Sequence, residues 1–156
     1  MSIEVARGLF ESARGHALAG ELLYKGAMAK ATEDGHPDPE QWAFSGPYSV
    51  SIHYLIGLSL ELLLKTAYVL HGGPSDDKAL QALGHKLVKA LDEVEKLGFH
   101  SQAPNLREIA EHLNDHYAQH HFRYQQPAQM ALPDVPDVYA AFQVLTDELH
   151  PLVFPN

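Results

Sequence analysis

An arginine and a histidine five residues apart, Arg107 and His112, stand in a stretch with helical spacing. That pair is the minimum equipment for cleaving RNA without a metal. An imidazole can move the 2′-hydroxyl proton or assist the leaving group, and a guanidinium can hold the phosphate and its developing charge. R-x4-H also recurs by chance on many helices, where it is only a pair of surface residues. Geometry restricts it further: five helical residues turn the direction by about 500 degrees, so the two side chains point about 140 degrees apart. They converge on one phosphate only if Arg107 lies in a distorted first turn, which Pro104 upstream would favour, or comes from a second subunit. Arg123 is an alternative arginine, but no histidine follows it at that interval.

Three other groupings carry ionisable side chains. Glu61 and Lys65 are the only full charges between Val50 and Leu70. Four apart and in the Glu-then-Lys order, they stack on one helical face, where burial costs desolvation that their attraction only just offsets, unless both reach the rim. His85, in Gly84-His85-Lys86-Leu87, opens a short helix, where the free N–H groups favour a neutral imidazole; it either relays a hydrogen bond or fixes the local turn. His112, His116 and His120, with His121, place imidazoles on successive turns, a spacing that suits a divalent metal beside Glu111 or Asp115. HEXXH is absent and no further ligand is committed, so the expectation is a solvated flank with no metal and no cofactor.

The element that must position these groups is Ser49 to Gly73, the longest apolar run in the chain. About 20 apolar residues would suffice to span a membrane, but the Glu/Lys pair and the short amphipathic partners elsewhere argue for the core helix of a soluble bundle. Before it, residues 3–30 have helical periodicity with Val5, Leu9, Ala13, Ala17, Tyr24, Ala27 and Met28 inward. Leu18 and Leu22 fall off that stripe, as part of a wide buried face or as a second contact surface. Residues 31–47 have the Gly, Pro and Asp density of a loop, with Trp42 and Phe44 pinning it to the bundle or walling a pocket. A third helix follows Gly84, with Leu87, Leu91, Val94 and Leu97 inward. The fourth begins near Ser101 and Pro104 and carries Leu106, Ile109, Ala110, Leu113 and Tyr117 on one face to about His121. Three prolines break residues 123–136, and a last helix buries Val138, Ala141, Phe142, Leu145 and Leu149 before Pro151 closes it. No period-2 strand is visible. The expected architecture is an all-α, up-and-down bundle of four main helices plus a C-terminal one.

At 156 residues the chain fits one domain that fills its core without staples. With no cysteine, thiolate chemistry and disulfides are excluded, and a reducing compartment is a natural setting. The N-terminus lacks the apolar core of a signal peptide, which places the protein in the cytoplasm, away from membranes. A net charge of −9 opposes broad attraction to nucleic acid, so DNA is not expected and any RNA contact is local.

Taken in order, a long helix, a central helix with ELLLK, GHKL opening a short helix, R-x4-H on the next, and Arg123-Tyr124 before a proline-broken loop resemble the HEPN superfamily over residues 49–149. Arg123-Tyr124 is similar to the RYP segment of some members. The resemblance implies a helical bundle that pairs as a homodimer, with polar residues of facing helices meeting in a cleft between subunits. Many HEPN proteins are metal-independent ribonucleases of toxin–antitoxin, phage-defence or CRISPR systems, and others are binding or nucleotide-associated modules. Carried onto this chain, Arg107 and His112 match the nuclease motif. In toxins paired with a minimal nucleotidyltransferase the motif extends to R-x4-H-x-Y, and the last position here is Asn114. Two functions therefore stand side by side. One is an endoribonuclease with His112 as acid/base and Arg107 as phosphate clamp, acting on RNA and held by an antitoxin protein. The other is a non-catalytic dimeric interaction module in which Glu61, Lys65, His85, Arg123 and Tyr124 form a polar cluster.

Overall fold

The computed structural model describes residues 2–119 and 131–155, which contain helices and no strand. The helices are α1 (Ile3–Glu33), α2 (Pro39–Ser45), α3 (Ser49–Leu70), α4 (Asp77–Leu83), α5 (Leu87–Lys96), α6 (Leu106–Ala118) and α7 (Val135–Val153). This is the expected all-α bundle, with two short helices added inside stretches whose composition reads as loop. Both begin on an aspartate whose carboxylate accepts a backbone N–H: Asp38 from Gln41 at 3.0 Å, with Pro39 at the first helical position, and Asp76 from Ala79 at 3.0 Å.

α3 is the axis of the bundle. Ile52, Ile56, Leu60, Leu63 and Leu64 are all buried, because α1 runs along one side of α3 while α5, α6 and α7 pack on others. By length and composition this helix could cross a membrane, yet most of that stretch is covered by the surrounding helices, as in the core of a water-soluble bundle. Small residues on α1 permit the closest approach. Ser59 donates to the carbonyl of Ala13 at 2.8 Å, and Tyr139 of α7 reaches over Gly20 to donate to the carbonyl of Ala17 at 2.9 Å. A Cβ on Gly20 would stand 2.7 Å from that tyrosine oxygen.

Several inward faces match the periodicity residue for residue. α6 buries Leu106, Ile109, Ala110, Leu113 and Tyr117, and α7 buries Val138, Ala141, Phe142, Leu145 and Leu149. α1 differs: Ala6 and Phe10 are fully buried while Val5 and Leu9 are only partly so, because the face turned to α3 is rotated by one residue near the N-terminus. Leu97 lies after the last turn of α5 and is exposed, and α7 continues past Pro151 to Val153. Trp42 and Phe44 sit on α2 against the core, Trp42 stacked on His36 at 5.1 Å between ring centres.

Candidate functional site

Gly57, Glu61 and Lys65 follow one another at four-residue spacing, so α3 presents them on one face in successive turns. α6 lays Tyr117 across that face. The Gly84 turn, with φ +61°, brings His85 in from the other side, one residue before the Lys86 that starts α5. Glu61 is where the three elements meet. Its Oε1 accepts from the Lys65 ammonium at 2.6 Å, and its Oε2 lies 2.9 Å from His85 Nδ1 and 2.5 Å from the Tyr117 hydroxyl, which donates to it. Glu61 and Lys65 are buried, at 4% and 8% exposure, whereas the His85 side chain is 52% exposed. The Tyr117 ring stands edge-on to His85 at 5.8 Å.

The electrostatics follow from this packing. Burial pushes the Glu61 carboxyl upward, but the hydrogen bonds from His85, Lys65 and Tyr117 together outweigh it and hold the group below its ordinary range, so it is ionised. Burial and the bond to Glu61 push the Tyr117 phenol upward, which keeps its proton in place as donor. The cluster is thus a buried carboxylate with two acceptor oxygens divided among three donors. Of its members, Glu61, Lys65 and His85 were legible as candidates in the sequence. Of the two alternatives for Glu61 and Lys65, the fold adopts burial and not the rim, and His85 precedes α5 rather than opening it, with a carboxylate as its partner. Nothing in the sequence marks Gly57, and the helical spacing marks Tyr117 only as a core position, although a buried tyrosine hydroxyl usually finds a partner.

Arg107 and His112 are not brought together. α6 starts at Leu106 after Asn105, whose φ of +57° turns the chain before the helix and leaves the helix itself to begin regularly. Arg107, in the first turn, reaches back to α5 and pairs with Asp92 at 2.9 Å and Glu95 at 2.6 Å. Its guanidinium is partly desolvated, but these two carboxylates dominate and hold it firmly charged. His112 is exposed on the other side of α6. Asn114, two positions on, has a different task. Its Oδ1 accepts the Val88 N–H at 3.1 Å and so caps α5 from outside, a bond that tyrosine cannot make in that form.

Arg123, Tyr124, His120 and His121 lie outside the described residues. Of the histidine set, His112 is exposed and His116 half-buried, and among the described residues no three His, Asp or Glu side chains are grouped to hold a metal ion. Away from the cluster, Asp38, Glu40 and Asp134 line an acidic cavity with Phe44 and Leu132, so Phe44 both pins α2 and walls a pocket.

No protein family, no curated protein and no solved structure matches this chain.

Proposed function

We propose that this chain is a HEPN-like, homodimeric, cytoplasmic helical module of a toxin–antitoxin or defence system. In this reading it binds RNA or nucleotide phosphate without a metal, at the His85 edge of the Glu61 cluster. The observation that carries the proposal is Glu61 itself. The E-x-x-x-K and G-H-x-L segments, distant in sequence, meet on its two oxygens, and only His85 among its partners is substantially exposed. Lys65 neutralises the carboxylate that holds the imidazole, and two further lysines are exposed nearby in sequence, Lys86 directly after His85 and Lys89 in the first turn of α5 with its ammonium 2.6 Å from the Ala82 carbonyl. A local basic edge of this kind suits a phosphate even on a chain of net charge −9.

A second reading is metal-independent RNA cleavage, and one observation favours it at a different histidine. A carboxylate on one imidazole nitrogen orients the ring, as the 2.9 Å contact of Glu61 to His85 Nδ1 does. In that reading His85 replaces His112 as acid/base, and Arg107 is a tie between helices.

The test is fluorescence anisotropy and gel analysis of the full chain with single-stranded RNA in EDTA. Salt-sensitive binding without cleavage, lost in His85→Ala, is expected. Cleavage lost in His85→Ala establishes the second reading, and cleavage lost only in His112→Ala restores R-x4-H. Neither binding nor cleavage removes RNA from the proposal.

A further inference from the structure

We propose that a second copy of this chain docks on the outer face of α1, the two α1 helices crossing antiparallel close to Leu18. This gives the proposed homodimer a surface and rests on that reading for its partner.

The outer face of α1 is unusual in three respects. Leu18 and Leu22 are 59% and 75% exposed, one turn apart in the middle of a 31-residue helix. On the same side, a Cβ built on Gly8, Gly15 or Gly26 would meet nothing within 4 Å. Glycine inside a helix costs about 1 kcal/mol against alanine, and at these three positions no neighbour among the described residues requires it. Close approach of another backbone would require it.

The third feature is charge order, which identifies the partner as the same chain running the other way. Moving outward from Leu18, the outer face carries Arg14 and Glu21, then Glu11 and Lys25, then Glu4 and Lys30. Each step has opposite signs at nearly equal distance from the leucine. Two such helices crossed antiparallel about a two-fold axis place Arg14 near the partner's Glu21, Glu11 near the partner's Lys25, and Glu4 near the partner's Lys30. A parallel pair would set every charge against its own sign. Arg7 does not enter the pattern, since it reaches the Val153 carbonyl at 3.5 Å and covers the Phe154 ring. Lys25 also pairs with Glu21 of its own helix at 2.9 Å, and Lys30 with Asp34 at 2.9 Å and Glu33 at 3.9 Å, exposed contacts of the weak kind that leave both lysines available to a partner. Beside Leu18, this face continues into a groove between α1 and α7 whose lining mixes Tyr139 and Phe142 with Arg14, Glu21, Asp147 and His150, so the surface offered to a partner is both apolar and charged. A two-fold interface uses each leucine twice, so a few side chains suffice to set the association.

Sedimentation equilibrium of the full chain at micromolar concentration tests this. The wild type should be a dimer. Leu18→Glu with Leu22→Glu should weaken it by about a hundredfold or more, with an unchanged circular dichroism spectrum, because neither leucine contributes to the core. Glu11→Lys alone and Lys25→Glu alone should each weaken the dimer, and the two together should restore it. A monomeric wild type would sink both this interface and the homodimer reading. A dimer indifferent to the leucine changes, or charge reversals that do not rescue each other, would overturn the α1 interface alone and leave that reading standing.

Discussion

The Tyr117 ring lies directly on the bare Cα of Gly57: a Cβ there would stand 2.6 Å from the ring Cδ2 and 2.9 Å from Cγ. One turn further along α3, the same tyrosine donates its hydroxyl to Glu61. The glycine is therefore a seat for the tyrosine, and the seat sets the height at which the hydroxyl meets the carboxylate.

Gly57→Ala should destabilise the protein by about 1–3 kcal/mol through overpacking, although alanine is the better helix former by about 1 kcal/mol. The atoms met are at the base of a buried ring, which cannot swing aside as a flexible side-chain end would. A thermal melt decides this. A Gly57→Ala melt at or above wild type would mean that Tyr117 is not held there.

Glu61→Ala strands a buried ammonium, so a loss of about 3–5 kcal/mol is expected, which for a chain of this size is a fall of about 10 °C in Tm. Glu61→Leu combined with Lys65→Met removes both charges and should recover part of it, the buried Tyr117 hydroxyl being left without this acceptor. An unaltered melt for Glu61→Ala would show that the pair does not hold the bundle.

Much of this architecture could be read from apolar spacing alone. The inward faces of α6 and α7 needed only the helical period, since every fourth or third residue is large and apolar on one side. The short helices α2 and α4 escaped because seven residues with Pro, Asp and Gln carry too little periodicity, and only their capping aspartates announce them. In the site, Glu61, Lys65 and His85 stood out as ionisable groups in unusual surroundings, but the carboxylates of Arg107 did not. Asp92 and Glu95 sit on an amphipathic helix whose outer face is charged throughout, so nothing marks them as partners until α5 and α6 pack.

Stability should fall as pH drops from about 6.5 to about 4. His53 is fully buried, bonded through Nδ1 to the Ser49 carbonyl at 2.8 Å, and burial lowers its pKa from 6.5 to about 4 despite backbone bonds that oppose the shift. The unfolded chain therefore takes up this proton first, and stability is lost across that window by about 3 kcal/mol in total. Glu61, depressed below its ordinary value, adds a loss at lower pH as the folded carboxylate is finally protonated. Melts from pH 7 to 4 should show a shallower slope in His53→Phe; an equal slope would assign the acid sensitivity elsewhere.

Arg107→Ala should cost about 1 kcal/mol, because the guanidinium and both carboxylates are partly solvated. Asn114→Ala should cost a similar amount by uncapping α5. Neither should abolish RNA binding. Binding lost in Arg107→Ala at full stability would return that side chain to the phosphate.

Trp42 is the single tryptophan of the chain, stacked on His36 and edge-on to Tyr48 at the end of the bundle where α3 begins. Glu61 lies twelve residues further along α3, about 18 Å down its axis. Tryptophan emission is thus a lamp at one end of the molecule, while the tyrosine ultraviolet signal includes Tyr117 against the middle of α3. Unfolding curves recorded by the two should coincide if end and middle melt together, and their separation would date the opening of that end relative to the centre.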